Sequence, residues 1–271
     1  VRPYLADPDV TLYQGDALDV LRELPDASVD ACVTSPPYAD ARTDVDCVVP
    51  ELFAVWLGPY LDEVLRVLAP TGSLMLNLGR RFRGGQELDY VHETLHRARE
   101  RGWLKVDELI WFKPNANGTG GPYLRNCHEY IFWLAPSADC YRGHDEARRP
   151  YRDLARYERG YTQAVKGAPR EYHRRTPHPL GARLDSVLIA SVGKDKGLKH
   201  PTPMAAAIAE DLVKLSCPVG GTLLDPFMGG GTTGLAARKL HRRFIGIDID
   251  ETWCAESAER LSQQSLFAEP A

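Results

Sequence analysis

Short apolar runs and helical stripes alternate along the first part of the chain. VTLYQGD reads as a strand, ALDVLRELP as a helix with apolar residues at helical spacing, and VDACVTS as a near-continuous apolar strand of the kind buried on both faces. LFAVWLGPYLDEVLRVLAP sets Leu57, Leu61, Leu65 and Leu68 along one helical stripe, and GSLMLNLG follows as another strand. This alternation predicts an α/β fold, a parallel sheet covered by helices. Further on, LDYVHETLHRARERG reads as a helix, and KVDELIWFKPNANGTGGPYLRNCHEYIFWLA as two strands joined by a Gly-rich loop.

From Cys140 to Lys199 the periodicity fades while Arg, Tyr, His and Pro accumulate, which predicts an inserted region. After His200 the alternation returns: TPMAAAIAEDLVKLSC is a helix, GTLLDPF a strand, GTTGLAARKLH a helix, RFIGIDID a strand and ETWCAESAERLSQQ a final helix. The chain is therefore divided into 1–139, 140–199 and 200–271.

Composition fits this picture, since 271 residues at 44% hydrophobic and 26% charged are enough for a full core. No run reaches the apolar length of a membrane span, and the first residues lack the basic and apolar regions of a signal peptide, so a cytoplasmic location is expected. The six cysteines, Cys32, Cys47, Cys127, Cys140, Cys217 and Cys254, form no C-x-x-C pair, and the histidines have no metal-ligand spacing, so no metal is assigned. Net charge is only -4, but Arg142 to Lys199 holds 14 Lys and Arg against 7 Asp and Glu, a local excess suited to a polyanion.

Two stretches carry chemistry. In TLLDPFMGGGTTG, glycines stand between a strand and a helix, where the backbone turns tightly and a ligand can approach. Gly229, Gly231 and Gly234 match G-x-G-x-x-G, a side chain at Gly231 would fill the approach, and Asp248 lies about 20 residues on, where a ribose-binding acid belongs. No G-K-[ST] follows, so this is not a phosphate-gripping P-loop. A nicotinamide dinucleotide and S-adenosyl-L-methionine both fit these features. The second stretch is TSPPY, where a buried strand stops at Ser35, Pro36, Pro37 and Tyr38. Consecutive prolines end strands because they lack the N–H that the ladder needs, but hydride transfer has no use for this turn, whereas methylation of an exocyclic base amine does.

DPFMGGGTT together with TSPPY resembles the amino-methylating DNA methyltransferases, in which D-P-F-x-G-x-G-T-T binds S-adenosyl-L-methionine and [DNS]-P-P-[YFW] binds the target base. The likeness runs from about Leu12 to Leu261 apart from the basic middle. Because the catalytic motif precedes the cofactor motif, the order resembles that of the beta subgroup. The resemblance implies a Rossmann-like, S-adenosyl-L-methionine-dependent methyltransferase sheet, circularly permuted, with a target-recognition region inserted at 140–199 between a catalytic half and a cofactor-binding half. It assigns the cofactor to Asp16, Asp225, Pro226, Phe227, Gly229, Gly231, Thr232, Thr233, Asp248 and His200.

On the same resemblance Ser35 Oγ and the Pro36 carbonyl accept hydrogen bonds from the target amine, Pro37 stiffens the turn, and Tyr38 stacks on a base flipped out of double-stranded DNA. Serine in the first motif position resembles the cytosine-N4 enzymes; adenine N6 is the alternative, and a catalytically silent nucleic-acid-binding module a third. Methylation at cytosine C5 is disfavoured because it needs a Pro-Cys nucleophile and only the reversed Cys217-Pro218 occurs. Arg80, Arg81, Arg83, Lys113, Arg174 and Arg175 are candidate DNA contacts, and Asn77 a candidate pocket wall. A companion restriction endonuclease, monomer or homodimer, and location at the nucleoid through DNA complete the expectations.

Overall fold

The computed structural model describes residues 1–39, 48–116, 123–155, 161–163, 171–173, 176–193 and 203–265. Its strands begin with β1 (Leu5–Ala6), β2 (Val10–Gln14), β3 (Val29–Thr34), β4 (Leu68–Gly79), β5 (Phe82–Arg83), β6 (Gln86–Glu87) and β7 (Leu104–Phe112). They continue with β8 (His128–Ala135), β9 (Tyr161–Gln163), β10 (Glu171–His173), β11 (Val187–Ile189), β12 (Thr222–Asp225) and β13 (Arg243–Asp248). The helices are α1 (Ala17–Glu23), α2 (Pro50–Val67), α3 (Tyr90–Glu100), α4 (Ala206–Ser216), α5 (Thr232–Lys239) and α6 (Glu251–Ser265).

Nine strands make one sheet in the order β1-β2-β13-β12-β3-β4-β8-β7-β11, in which β2, β13, β12, β3 and β4 run parallel and β8 lies antiparallel between β4 and β7. The expected α/β sheet is present, and its permutation is visible in the strand order. Strands β12 and β13, last in sequence, sit between β2 and β3, among the first.

Both faces of the sheet are covered, as its apolar strands require. Ala31 and Val33 point to one face with Met75, Trp133 and Leu223, where α4, α5 and α6 contribute Ile208, Leu212, Ala236 and Leu261. Cys32 points to the other with Leu74, Leu76, Phe132 and Leu224, against Leu21 of α1 and Phe53, Leu57 and Leu61 of α2. The alternation follows from the two-residue period of a strand. Leu57 and Leu61 occupy the buried stripe as expected, but Leu68 does not continue it. Leu68 has extended backbone (φ −69, ψ 135) and opens β4 opposite Val29. Pro70 explains the switch, since a proline disfavours helical backbone in the residue before it and cannot donate within a helix.

Two described parts of the 140–199 segment are tied to the scaffold. Tyr141 N–H donates to Thr71 O (2.8 Å) and Gly143 N–H to Leu215 O (3.0 Å), while Glu146 accepts from the buried Arg242 guanidinium (2.8 and 2.6 Å). At the other end β11 adds to the sheet edge, parallel to β7, a three-residue strand too short for periodicity to announce. No helix among the described residues is long and apolar enough to cross a membrane.

Gly143 has no room for a side chain, because a Cβ would fall 1.8 Å from the Lys214 carbonyl oxygen. Gly143→Ala should therefore destabilise the protein by about 1–3 kcal/mol in urea unfolding, whereas Gly193→Ala, with nothing within 4 Å of its Cβ among the described residues, should stay within about 0.5 kcal/mol of the parent.

Candidate active site

Strands β3 and β12 are neighbours and end together, so the two motifs emerge side by side at the C-terminal edge of the parallel strands, where ligands bind in open α/β sheets. Thr34 Oγ1 donates to Asp225 Oδ1 at 2.7 Å across this junction. Ser35 comes next, half-buried, followed by buried Pro36 and exposed Pro37.

Tyr38 turns back into the protein. Its hydroxyl lies 2.9 Å from Ser35 Oγ and donates to Glu129 Oε2 at 2.7 Å. Asn77 Nδ2, at the end of β4, reaches the Tyr38 hydroxyl and Glu129 Oε2 at 2.7 Å each and Ser35 Oγ at 3.2 Å. Lys113 Nζ donates to Glu129 Oε1 at 2.6 Å. Burial first, and then the Glu129 charge, push the Tyr38 phenol well above its ordinary range, so it stays protonated. The ring is fixed as well: a Cβ on Gly79 would lie 2.4 Å from Tyr38 Cε2, and the Arg81 guanidinium carbon stands 5.3 Å from the ring centroid.

The glycine turn joins β12 to α5. Gly229 (φ 48) and Gly231 (φ 73) take left-handed backbone, and Gly229 N–H donates to Asp248 Oδ2 at 2.9 Å. The second oxygen of Asp248 accepts from Asp250 N–H at 2.9 Å. Gly231 also has a packing reason that the sequence did not show: its Cβ would point at Ser257 Oγ, 2.7 Å away, so the glycine lets α6 pack on the turn. Thr232 and Thr233 are buried in the first turn of α5. After Pro226, the Phe227 ring meets Tyr60 and Trp56 of α2, with centroids 5.3 and 6.0 Å away, in an aromatic wall that sequence inspection did not single out.

Two acids here are held against their preference. Asp225 is 3% exposed and burial raises its carboxyl to about 7, while burial also raises Asp248. Their described partners are the Thr34 and Thr233 hydroxyls and backbone amides, with no cationic side chain among the described residues. Such a donor set fits a positively charged ligand that brings the missing cation.

The remaining sequence-predicted residues are spread around this edge. Asp16 is exposed and caps α1, accepting from Leu18 N–H at 2.7 Å, beside Gly15, whose N–H donates to Asp248 O at 2.9 Å. Arg80 pairs with Glu87, Arg83 with Glu51, and Arg81 donates to Ala39 O at 3.1 Å. His200, Arg174 and Arg175 lie outside the described residues. Glu129 was not selected from sequence; the available signal was an acid inside the otherwise apolar strand HEYIFWLA, where a buried charge requires a partner.

The family model described as DNA methylase, of the N6/N4 type, matches residues 29–259. The chain belongs to that DNA methylase family. Among similar curated proteins, the Type II methyltransferase M.ScaI of Streptomyces caespitosus is 26% identical, covering 98% of this chain and 86% of its own. The Type II methyltransferase M1.MboII of Moraxella bovis is also 26% identical, over 94% of this chain and 97% of its own. Among solved structures, the cytosine-N4-specific PvuII DNA methyltransferase shares the fold at TM-score 0.71 and 20% identity, covering 96% of this chain and 88% of that one. A candidate DNA modification methylase from Thermus thermophilus, complexed with S-adenosyl-L-methionine, aligns at TM-score 0.65 and 25% identity over 93% of both chains.

In this methylase the raised Asp225 carboxyl has a consequence for pH. Between its ordinary 3.8 and about 7 the folded state keeps a proton that the unfolded state has lost, so stability from this group is full at low pH and falls as pH rises towards 7. Asp225→Asn removes that titration. Between pH 5 and 8 it should lose about 1–3 kcal/mol less unfolding free energy than the parent, measured without ligand by urea titration.

Proposed function

We propose that this methylase transfers a methyl group from S-adenosyl-L-methionine to the exocyclic N4 amine of a cytosine flipped out of double-stranded DNA. The observation that carries the proposal is the junction at Thr34 and Asp225, which sets the Ser35 turn directly beside the glycine turn. When bound, the cofactor supplies an electrophilic methyl group on a positively charged sulfur. Asp225 and Asp248 are buried acids whose ionised form a cationic ligand would favour, Phe227 with Trp56 and Tyr60 offers an apolar wall, and the Met228–Gly231 turn shapes the backbone.

The amine lone pair of cytosine is delocalised into the ring, which makes it a poor nucleophile. Ser35 Oγ and the Pro36 carbonyl accept from its two N–H groups, which favours a pyramidal nitrogen with its lone pair free to attack. The prolines hold these acceptors in place, and Tyr38 presents its ring to the base once the Arg81 guanidinium that covers it moves aside, offsetting part of the few kcal/mol of unstacking. Serine in the first motif position and the likeness to the PvuII enzyme support cytosine; the family also includes adenine-N6 methylation as the alternative.

The basic 140–199 segment is the target-recognition region in this reading, with Arg174 and Arg175 as phosphate contacts. Arg83 holds the exposed Glu51, a pairing worth about 0–1 kcal/mol, so exchanging it for a DNA phosphate costs little, whereas Arg80 is held by two bonds to Glu87. The log of the DNA affinity should accordingly fall linearly with log salt, with a slope close to one unit per phosphate contacted; an affinity indifferent to salt contradicts the proposed DNA surface.

Ser35→Ala removes one acceptor that acts as the amine becomes tetrahedral. The single-turnover methylation rate should fall by roughly 10²-fold or more, while S-adenosylhomocysteine binding by calorimetry stays at the parent value. A variant with the parent rate would show that the prolines and Ser35 merely end a strand.

A further inference from the structure

We propose that Glu129 sets the direction of the Ser35 proton and receives, through Tyr38, the proton that the target amine loses on methylation. This assignment rests on Ser35 being an acceptor for that amine. Glu129 is a positioning residue here, because it touches Tyr38 and not the base.

Glu129 is 8% exposed, between His128 and a run of buried apolar side chains in β8. A buried acid at such a place needs compensation. Lys113 supplies a cation on Oε1, a salt bridge in which the Glu129 carboxylate is the acceptor. That single fact orients the network. The one phenolic proton of Tyr38 must go to Glu129 Oε2, because the carboxylate has none to give. Across the 2.9 Å contact between Tyr38 and Ser35, the serine is then the donor. Asn77 Nδ2 occupies the other acceptor position of the phenol at 2.7 Å.

Ser35 Oγ is thereby left with its proton turned inwards and, apart from the longer 3.2 Å contact from Asn77, with lone-pair density free for an incoming N–H. An untethered serine hydroxyl could instead turn its proton towards the amine and repel it. The orientation of Asn77 agrees: its nitrogen faces Glu129, and its Oδ1, although buried, has no hydrogen-bond partner among the described residues. An amide oxygen turned towards the carboxylate would be repelled, so the unpaired oxygen is the cost of serving this network.

The same chain of oxygens accounts for the proton. As the amine lone pair forms the N–C bond, the S–C bond breaks with its electron pair going to sulfur, and the nitrogen becomes positively charged. It then gives one proton to Ser35 Oγ while the serine proton passes to the Tyr38 oxygen and the phenolic proton to Glu129 Oε2. Ser35 and Tyr38 end as they began, the methylated amine is neutral, and Glu129 is a carboxylic acid that returns its proton to water after product release.

The test compares Glu129→Gln, Tyr38→Phe, their double variant and Ser35→Ala in single-turnover methylation of duplex DNA, with thermal stability and S-adenosylhomocysteine binding measured alongside. Glu129→Gln should be slower by at least about 10-fold, with unchanged S-adenosylhomocysteine binding. Tyr38→Phe, which removes only the hydroxyl and keeps the ring, should be slowed to a similar extent, and the double variant should be no slower than the slower single one, since both cut one relay. Parent rates in both single variants, or additive losses in the double variant, would overturn the relay. If Ser35→Ala is slow while the other two are normal, the relay fails and the proposed function stands. If Ser35→Ala itself keeps the parent rate, the underlying function fails with it.

Discussion

One hydrogen bond ties together everything chemical in this chain: Thr34 Oγ1 to Asp225 Oδ1, between residues 191 apart in sequence. It exists because β12 slots into the sheet next to β3, both pointing the same way and ending level. A parallel sheet gathers the C-terminal ends of its strands at one edge, so two turns that are remote in sequence become neighbours. The circular order of the segments is immaterial to this result. What matters is that the last strands of the chain enter between the first ones, and the apolar faces of β3, β4 and β12, packed between helices on both sides, hold them there.

That junction also separates two electrostatic environments. On the glycine side stand buried acids whose described partners carry no positive charge, poised for a cationic ligand. On the Ser35 side the acid Glu129 is neutralised by Lys113 and surrounded by donors, so its charge is used inside the network. A methyl group on a positively charged sulfur and a neutral amine are the pair of reactants that such an arrangement suits. The arginines beyond, on the connection from β4 to α3, pair with exposed acids or cover Tyr38, and so form a rim around the network.

Much of this was legible in the sequence, and the reasons are local. Strand and helix periods predicted most of the sheet, and TSPPY and DPFMGGGTT each fall within one turn of chain, so their residue types and spacing suffice to raise the chemistry. What escaped depends on tertiary pairing. Glu129 and Lys113 acquire meaning only when β8 lies antiparallel to β4 and β7 and brings them to Asn77 and Tyr38. Gly231 was rightly marked as special, but its neighbour is Ser257 of α6, which no spacing rule reveals. Leu68 left its helical stripe because Pro70 governs the backbone there, and β11 is too short to show a period. The aromatic wall of Trp56, Tyr60 and Phe227 likewise joins residues from distant segments.

The central claim is that the two turns meet in order to methylate an exocyclic amine, that of cytosine. The most direct test is to incubate the protein with methyl-labelled S-adenosyl-L-methionine and unmodified duplex DNA, digest the DNA to nucleosides, and identify the labelled product by chromatography and mass spectrometry. The account predicts N4-methylcytosine. Label in N6-methyladenine would move the target to the alternative base, and label in 5-methylcytosine, or none in DNA at all, would contradict the account.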